Sequence, residues 1–143
     1  MKIKTVGLVV VCSFLLGACA GMGLFSGAGR AFDKGLNFFN SGNYGDAGVH
    51  FSRAVELDPD YGKAHLYLGR TYLNQGQWVP AIQSLRRAFE LSPYETRKEA
   101  LNFLMDALLG ASTAELKAEN FQGAIGYLRE GRTLDPLAKD LKP

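Results

Sequence analysis

The side chains that could do chemistry here are few. They are two cysteines, Cys12 and Cys19, two histidines, His50 and His65, and the groups Asp58-Pro59-Asp60 and Glu115-x-Lys117-x-Glu119. Nucleophilic catalysis needs a nucleophile and a base brought within hydrogen-bond reach. Neither histidine has a cysteine or serine motif at a supporting spacing. The two aspartates flank a proline and read as a cap and turn rather than as paired catalytic carboxylates. Glu115, Lys117 and Glu119 read as a solvated face. The glycines are spaced for turns and helix contacts, not for a phosphate-binding loop. The expectation is a chain that is not an enzyme, holds no metal and takes no cofactor.

Cys19 has a different setting. Met1-Lys2-Ile3-Lys4 is a basic start, Thr5 to Leu16 is an apolar run, and Leu16-Gly17-Ala18-Cys19 closes it with small residues. The run is about a dozen residues, short of the roughly 20 a membrane-spanning helix needs. The segment resembles the signal peptide and lipobox of bacterial lipoproteins. That resemblance implies cleavage before Cys19 and a diacylglycerol anchor with palmitate-type chains on its thiol. Ala20, where some lipoproteins carry an aspartate that retains them at the inner membrane, implies the outer membrane, facing the periplasm. An ordinary secretory peptide with an incidental cysteine and an uncleaved anchor are the alternatives. Cleavage would remove Cys12 and leave no free thiol, which excludes a disulfide framework and a cysteine-based metal site.

The charge balance supports a lipid rather than an electrostatic attachment. Residues 1–18 carry Lys2 and Lys4 and no acid, so residues 19–143 hold 14 basic against 14 acidic side chains. A neutral chain has no global field to draw nucleic acid or acidic lipid. Residues 20–29, Ala-Gly-Met-Gly-Leu-Phe-Ser-Gly-Ala-Gly, read as a flexible tether of about 15–20 Å reach.

The elements beyond the tether are set by internal repetition. Gly35, Phe38, Gly42, Tyr44, Ala47, Phe51, Ala54 and Pro59 recur 34 residues later as Gly69, Tyr72, Gly76, Trp78, Ala81, Leu85, Ala88 and Pro93. This pattern is similar to the tetratricopeptide repeat, over residues 28–95. The small residues let paired helices approach, the aromatics fill the space between pairs, and Gly42 and Gly76 permit tight turns. Ser92-Pro93-Tyr94-Glu95 reads as a capping box, and Asp58 as a cap at the preceding junction. His65 falls on a packing position and His50 on a helix surface.

A third repeat departs from the period. Asn120 to Leu128 and Leu134-Asp135-Pro136 fit a second helix and its closure, but Ala124 lies 43 residues after Ala81. Leu101, Leu104, Met105, Leu108, Ala111, Ser112 and Leu116 carry a helical stripe through the excess. The prediction is one long first helix from about Pro93 to Lys117, projecting about 13 Å beyond the stack, or alternatively a break near Gly110. The expected fold is therefore an all-α solenoid of antiparallel helix hairpins, two regular repeats and a divergent third. In order along the chain the parts are a signal peptide (1–18), the lipidated cysteine with its tether (19–29), the repeats (30–136, as about 28–61, 62–95 and 96–138) and a tail (137–143).

In tetratricopeptide proteins the first helices line a concave groove that takes a peptide or a partner helix. Projecting that face onto this chain by resemblance gives Phe32, Leu36, Phe39 and Asn40, then Lys63, Leu66, Tyr67, Arg70 and Asn74, then Arg97, Leu101 and Leu104. The mixture suits a ligand with apolar side chains and an acidic group or C-terminal carboxylate. The resemblance implies a lipid-anchored scaffold or adaptor binding a protein partner in the envelope and assisting assembly of a complex there. The alternative is a structural subunit of an envelope machine, such as a pilus, secretion or outer-membrane assembly, held through its C-terminal face. Helix 121–134 lacks a covering helix and contains Gly123, Gly126 and Gly131, so that end is expected to self-associate or find a partner, with Tyr127 on its outer side.

Overall fold

The computed structural model describes residues 27–134. Six helices succeed one another: α1 (Gly27–Asn40), α2 (Tyr44–Leu57), α3 (Gly62–Asn74), α4 (Trp78–Leu91), α5 (Tyr94–Lys117) and α6 (Phe121–Leu134). They form three antiparallel hairpins, α1 with α2, α3 with α4 and α5 with α6, stacked in chain order. The signal peptide, Cys19 and residues 135–143 lie outside the described residues. The last part of the expected tether does not: Gly27–Gly29 open α1, with Ala28 and Gly29 buried. Ala28, Ala31, Phe32 and Gly35 form one apolar stripe at helical spacing, which carries the helix back three residues further than expected.

One turn chemistry closes all three hairpins. Gly42 N–H donates to the Phe39 carbonyl and Asn43 N–H to that of Phe38. Gly76 and Gln77 repeat the pair of bonds to Leu73 and Tyr72, and Glu119 and Asn120 repeat it to Leu116 and Glu115. Such a turn needs one residue in the left-handed region. Gly42 (φ 77°) and Gly76 (φ 69°) supply it freely, whereas the third turn uses Glu119 at φ 59°. Asn43 and Asn120 then cap α2 and α6, their side-chain oxygens accepting from Asp46 N–H and Gly123 N–H.

The junctions between hairpins differ from the expected caps. Ser92 Oγ donates back to the Ala88 carbonyl, 2.6 Å away, so it finishes α4 and Pro93 occupies the N-cap of α5. Asp58 accepts from Asp60 N–H in a tight turn, and Tyr61 is the N-cap of α3. His65 Nε2 meets the Pro59 carbonyl at 3.0 Å and ties that turn to α3. His50 is half-buried, stacked on the Phe38 ring.

Two cores hold the stack. Phe32, Phe51, Ala47 and Ala54 join Ala64 and Leu68 of α3 in the first. Ala81, Ile82, Leu85 and Ala88 of α4 join Ala100, Leu104, Ala107, Leu108 and Ala111 of α5 in the second. Phe51, Leu85 and Leu104 are fully buried, each worth about 1.5–3 kcal/mol of transfer free energy. Bulk on one helix is met by a glycine on its neighbour. A Cβ on Gly69 would stand 2.4 Å from Leu85, and one on Gly35 would stand 2.7 Å from the Phe51 ring.

Of the two readings for residues 93–117, the continuous helix is the observed one, at 24 residues. Gly110 does not break it. A Cβ there would lie 2.4 Å from the Trp78 ring, so the glycine lets α5 pass directly over that indole. The extra turns do not project freely. Ala107, Leu108, Ala111 and Ser112 are buried, and α6 folds back along them, bringing Gly131 against Met105 and Leu108. Arg86 of α4 reaches Glu130 of α6 at 2.6 Å. Tyr127 also departs from expectation: it packs inward toward the second core, near Trp78, rather than on the outer side. No helix among the described residues is long and apolar enough to cross a membrane.

Candidate functional site

The first helices α1, α3 and α5 lie side by side and present one concave face, with Arg70 at its centre. The Arg70 guanidinium sits 5.2 Å from the Phe39 ring of α1, 4.8 Å from Tyr67 of its own helix and 4.8 Å from Phe103 of α5. It also approaches Glu99 of α5 at 3.8 Å. Planar, weakly hydrated guanidinium suits such stacking, and each contact adds roughly 0.5–1 kcal/mol. One side chain therefore links all three first helices. Around it Phe32, Phe39, Phe51 and Tyr67 form a ring cluster with centroids 5.4–6.3 Å apart. Tyr61 closes the cluster against Phe32. Burial, followed by the carboxylates of Asp33 and Asp58, pushes its phenol above the usual value.

Beside this clamp a cavity of about 330 Å³ opens between α3 and the start of α5. Leu66, Tyr67 and Leu91 give it apolar walls, and Lys63 and Glu99 stand at its edge as opposite charges. Lys63 Nζ also rests 5.2 Å from the Phe32 ring, so the ammonium is held near the mouth by a cation–π contact.

The projected groove residues divide on this geometry. Leu36, Phe39, Tyr67 and Arg70 are half-buried, and Asn40, Lys63 and Asn74 are more open. The Asn74 amide donates to the Arg70 carbonyl and steadies the end of α3. Phe32, Leu66 and Leu104 are buried at 3%, 6% and 0% exposure, so two of them belong wholly to the core and Leu66 offers only its edge to the cavity. Leu101 is half-buried. Arg97 leaves the concave face and stacks on Phe89 of α4, 5.4 Å away.

The departure on α5 is one of register. Ala64, Leu68 and Thr71 turn α3 toward α2. Their counterparts on α5 are Ala100, Leu104 and Ala107, 36 residues on rather than 34. The connection 92–93 is shorter than 58–61, and α5 begins early enough to gain a turn before it meets α4. Lys63 and Tyr67 therefore correspond to Glu99 and Phe103, the two residues missed. The signal was in the sequence: Ala64-x-x-x-Leu68 recurs as Ala100-x-x-x-Leu104.

Helical hairpins stacked in series, with their first helices side by side on one face, make a helical-repeat scaffold. Residues 38–93 match the tetratricopeptide repeat family, and the fold is a helical repeat of that type. It is 28% identical over 106 residues to tetratricopeptide repeat protein 14 of Mus musculus. It is also 28% identical over 111 residues to cellulose synthase operon protein C of Escherichia coli K12. Each alignment covers 74% of this chain but only 14% and 10% of those proteins, so the chain spans a small part of their length. In fold it is similar to the N-terminal domain of stress-induced protein-1 from C. elegans, with a TM-score of 0.52 at 20% identity. That match covers 78% of this chain and 88% of that one. Such repeats are typically non-catalytic scaffolds for protein–protein interaction.

Proposed function

We propose that this chain is a lipid-anchored adaptor of the bacterial envelope that holds an extended segment of a partner protein in the α1–α3–α5 face. The observation that carries the reading is the cavity beside Arg70, with apolar walls and opposite charges at its edge. A bound segment places an apolar side chain between Leu66, Tyr67 and Leu91. An acidic group or C-terminal carboxylate beside it meets Lys63, and a basic one meets Glu99. Arg70 acts mainly as the clamp that holds the face in shape, since its guanidinium is already stacked and paired.

The envelope location rests on the lipobox at Leu16–Cys19 and is supported by distant similarity to a bacterial cellulose synthase operon protein. In this reading the lipid on Cys19 keeps the repeats at the outer membrane, in the periplasm, where they assist assembly of a complex. Crosslinking pull-down from envelope fractions tests the groove. Lys63→Glu with Glu99→Lys should lose the captured partner while the fold is kept, and unchanged capture would refute the groove. Cys19→Ser should release the protein from membranes, and unchanged fractionation would refute the anchor independently.

A further inference from the structure

The outward face of α6 repeats, position by position, a face that is covered elsewhere in the molecule. Counted from their shared turn, Trp78, Ile82, Leu85 and Phe89 of α4 correspond to Phe121, Ile125, Leu128 and Arg132 of α6. On α4 this row receives α5, with Gly110 against Trp78 and Arg97 over Phe89; Ile82 is 3% exposed, and Leu85, at 0%, packs also on Gly69 of α3. On α6 no described element covers it: Phe121, Ile125 and Leu128 are 62%, 45% and 50% exposed.

We propose that this row pairs with the same row of a second copy of the chain, α6 against α6 in antiparallel. The two-fold axis lies at the level between Gly126 and Tyr127. The spacing is symmetric about that level, so Ile125 of one copy meets Leu128 of the other and Phe121 meets Arg132. A face that is complementary to itself in this way is the requirement for an isologous contact. The charges agree. Arg132 arrives over an aromatic ring, the contact this molecule already makes at Arg97–Phe89 and Arg70–Phe103. Glu119, exposed in the turn just before Phe121, supplies a carboxylate for the same arginine. It holds that place at φ 59°, where the other two turns use glycine. Head-to-tail stacking is disfavoured because α1, on the face left exposed among the described residues, presents Arg30, Lys34 and Asn37 where α3 presents Ala64, Leu68 and Thr71.

The test uses the full chain purified in detergent, studied by sedimentation velocity across a concentration series. A concentration-dependent dimer is expected, and a monomer throughout overturns the proposal, whether or not removal of residues 135–143 then produces a dimer. Leu128→Asp enters the contact twice and should weaken it by more than about 100-fold with helical circular dichroism unchanged. A dimer that survives it overturns the proposal. Glu119→Arg and Arg132→Glu should each weaken the dimer, and the two together should restore it. Finally, a mixture of Ile125→Cys and Leu128→Cys chains should crosslink several-fold faster than either alone, with the parent chain as background for Cys12 and Cys19. Preferential linkage between Lys34→Cys and Leu128→Cys would place the copies head-to-tail and exclude the two-fold pair.

Discussion

At one end of the stack α1 turns Arg30, Lys34 and Asn37 outward and buries Ala28, Ala31, Phe32 and Gly35. At the other end α6 turns Phe121, Ile125 and Leu128 outward and buries only Ala124 and Gly131 among its residues. The first is built as a terminal helix and the second as an internal one. A repeat stack is usually closed at both ends by polar helices. Among the described residues the stack therefore ends in a polar face on the side of the expected anchor and in an exposed apolar row on the other.

Substitutions can break this contrast or sharpen it. The largest effect is expected at the finished end. Phe32→Ala removes a ring packed on Phe51, Tyr61 and Tyr67 and should cost about 3–5 kcal/mol in chemical denaturation. A cost near that of a surface change would mean that the end is not sealed. Next comes the join between the two regions. Gly110→Ala pushes a methyl into Trp78; overpacking costs about 1–3 kcal/mol, and helix propensity returns up to about 1. A net loss of roughly 1–2 kcal/mol is expected, with a shift in emission from the chain's single tryptophan. Gly126→Ala meets no atom within 4 Å and should stabilise α6 by up to about 1 kcal/mol. Leu128→Ser at high dilution should change monomer stability by less than about 0.5 kcal/mol, in contrast to Phe32→Ala.

The smallest effect should come from protons at the finished end. Tyr61 has a raised phenol, so the folded chain keeps that proton at pH values where the unfolded chain has released it. Its contribution is complete below the ordinary tyrosine value near 10 and is lost as pH rises through the raised one. Above the ordinary value the unfolded chain gains free energy by ionising this phenol while the folded chain does not, so stability between about pH 9 and pH 11 should fall more steeply in the parent than in Tyr61→Phe. Equal slopes in denaturation series over that range would remove Tyr61 from the account.

The hairpins, their glycine turns and the long fifth helix were legible because each rests on local chemistry: a turn glycine, a small residue opposite a large one, an apolar stripe. The concave face was legible only on α1 and α3, where one period holds. On α5 the prolines kept the period of 34 while the packing residues shifted to 36, and Pro93 drew Arg97 onto the face in place of Glu99. Proline marks where a helix starts; the alanines and leucines decide which side faces the neighbour. Phe32, Leu66 and Leu104 were placed on the right helices but too near the surface, because a stripe beside a groove and a stripe beside a core have the same spacing. The inward turn of Tyr127 depended on how far α6 folds back along α5, which no local pattern encodes.

The continuous α5 also governs how the molecule loosens. Where repeats are separate hairpins, each boundary opens nearly independently and the array frays one pair at a time. Here one rod forms both the boundary with α4, through Ala100, Leu104 and Ala107, and the pairing with α6, through Met105 and Leu108. A break in its middle exposes both at once. The amides of α4 and α5 should therefore exchange as one unit, with α6 able to peel away but unable to persist after α5 melts. A long helix here is a splice that joins α4 and α5 into one cooperative block on which α6 depends.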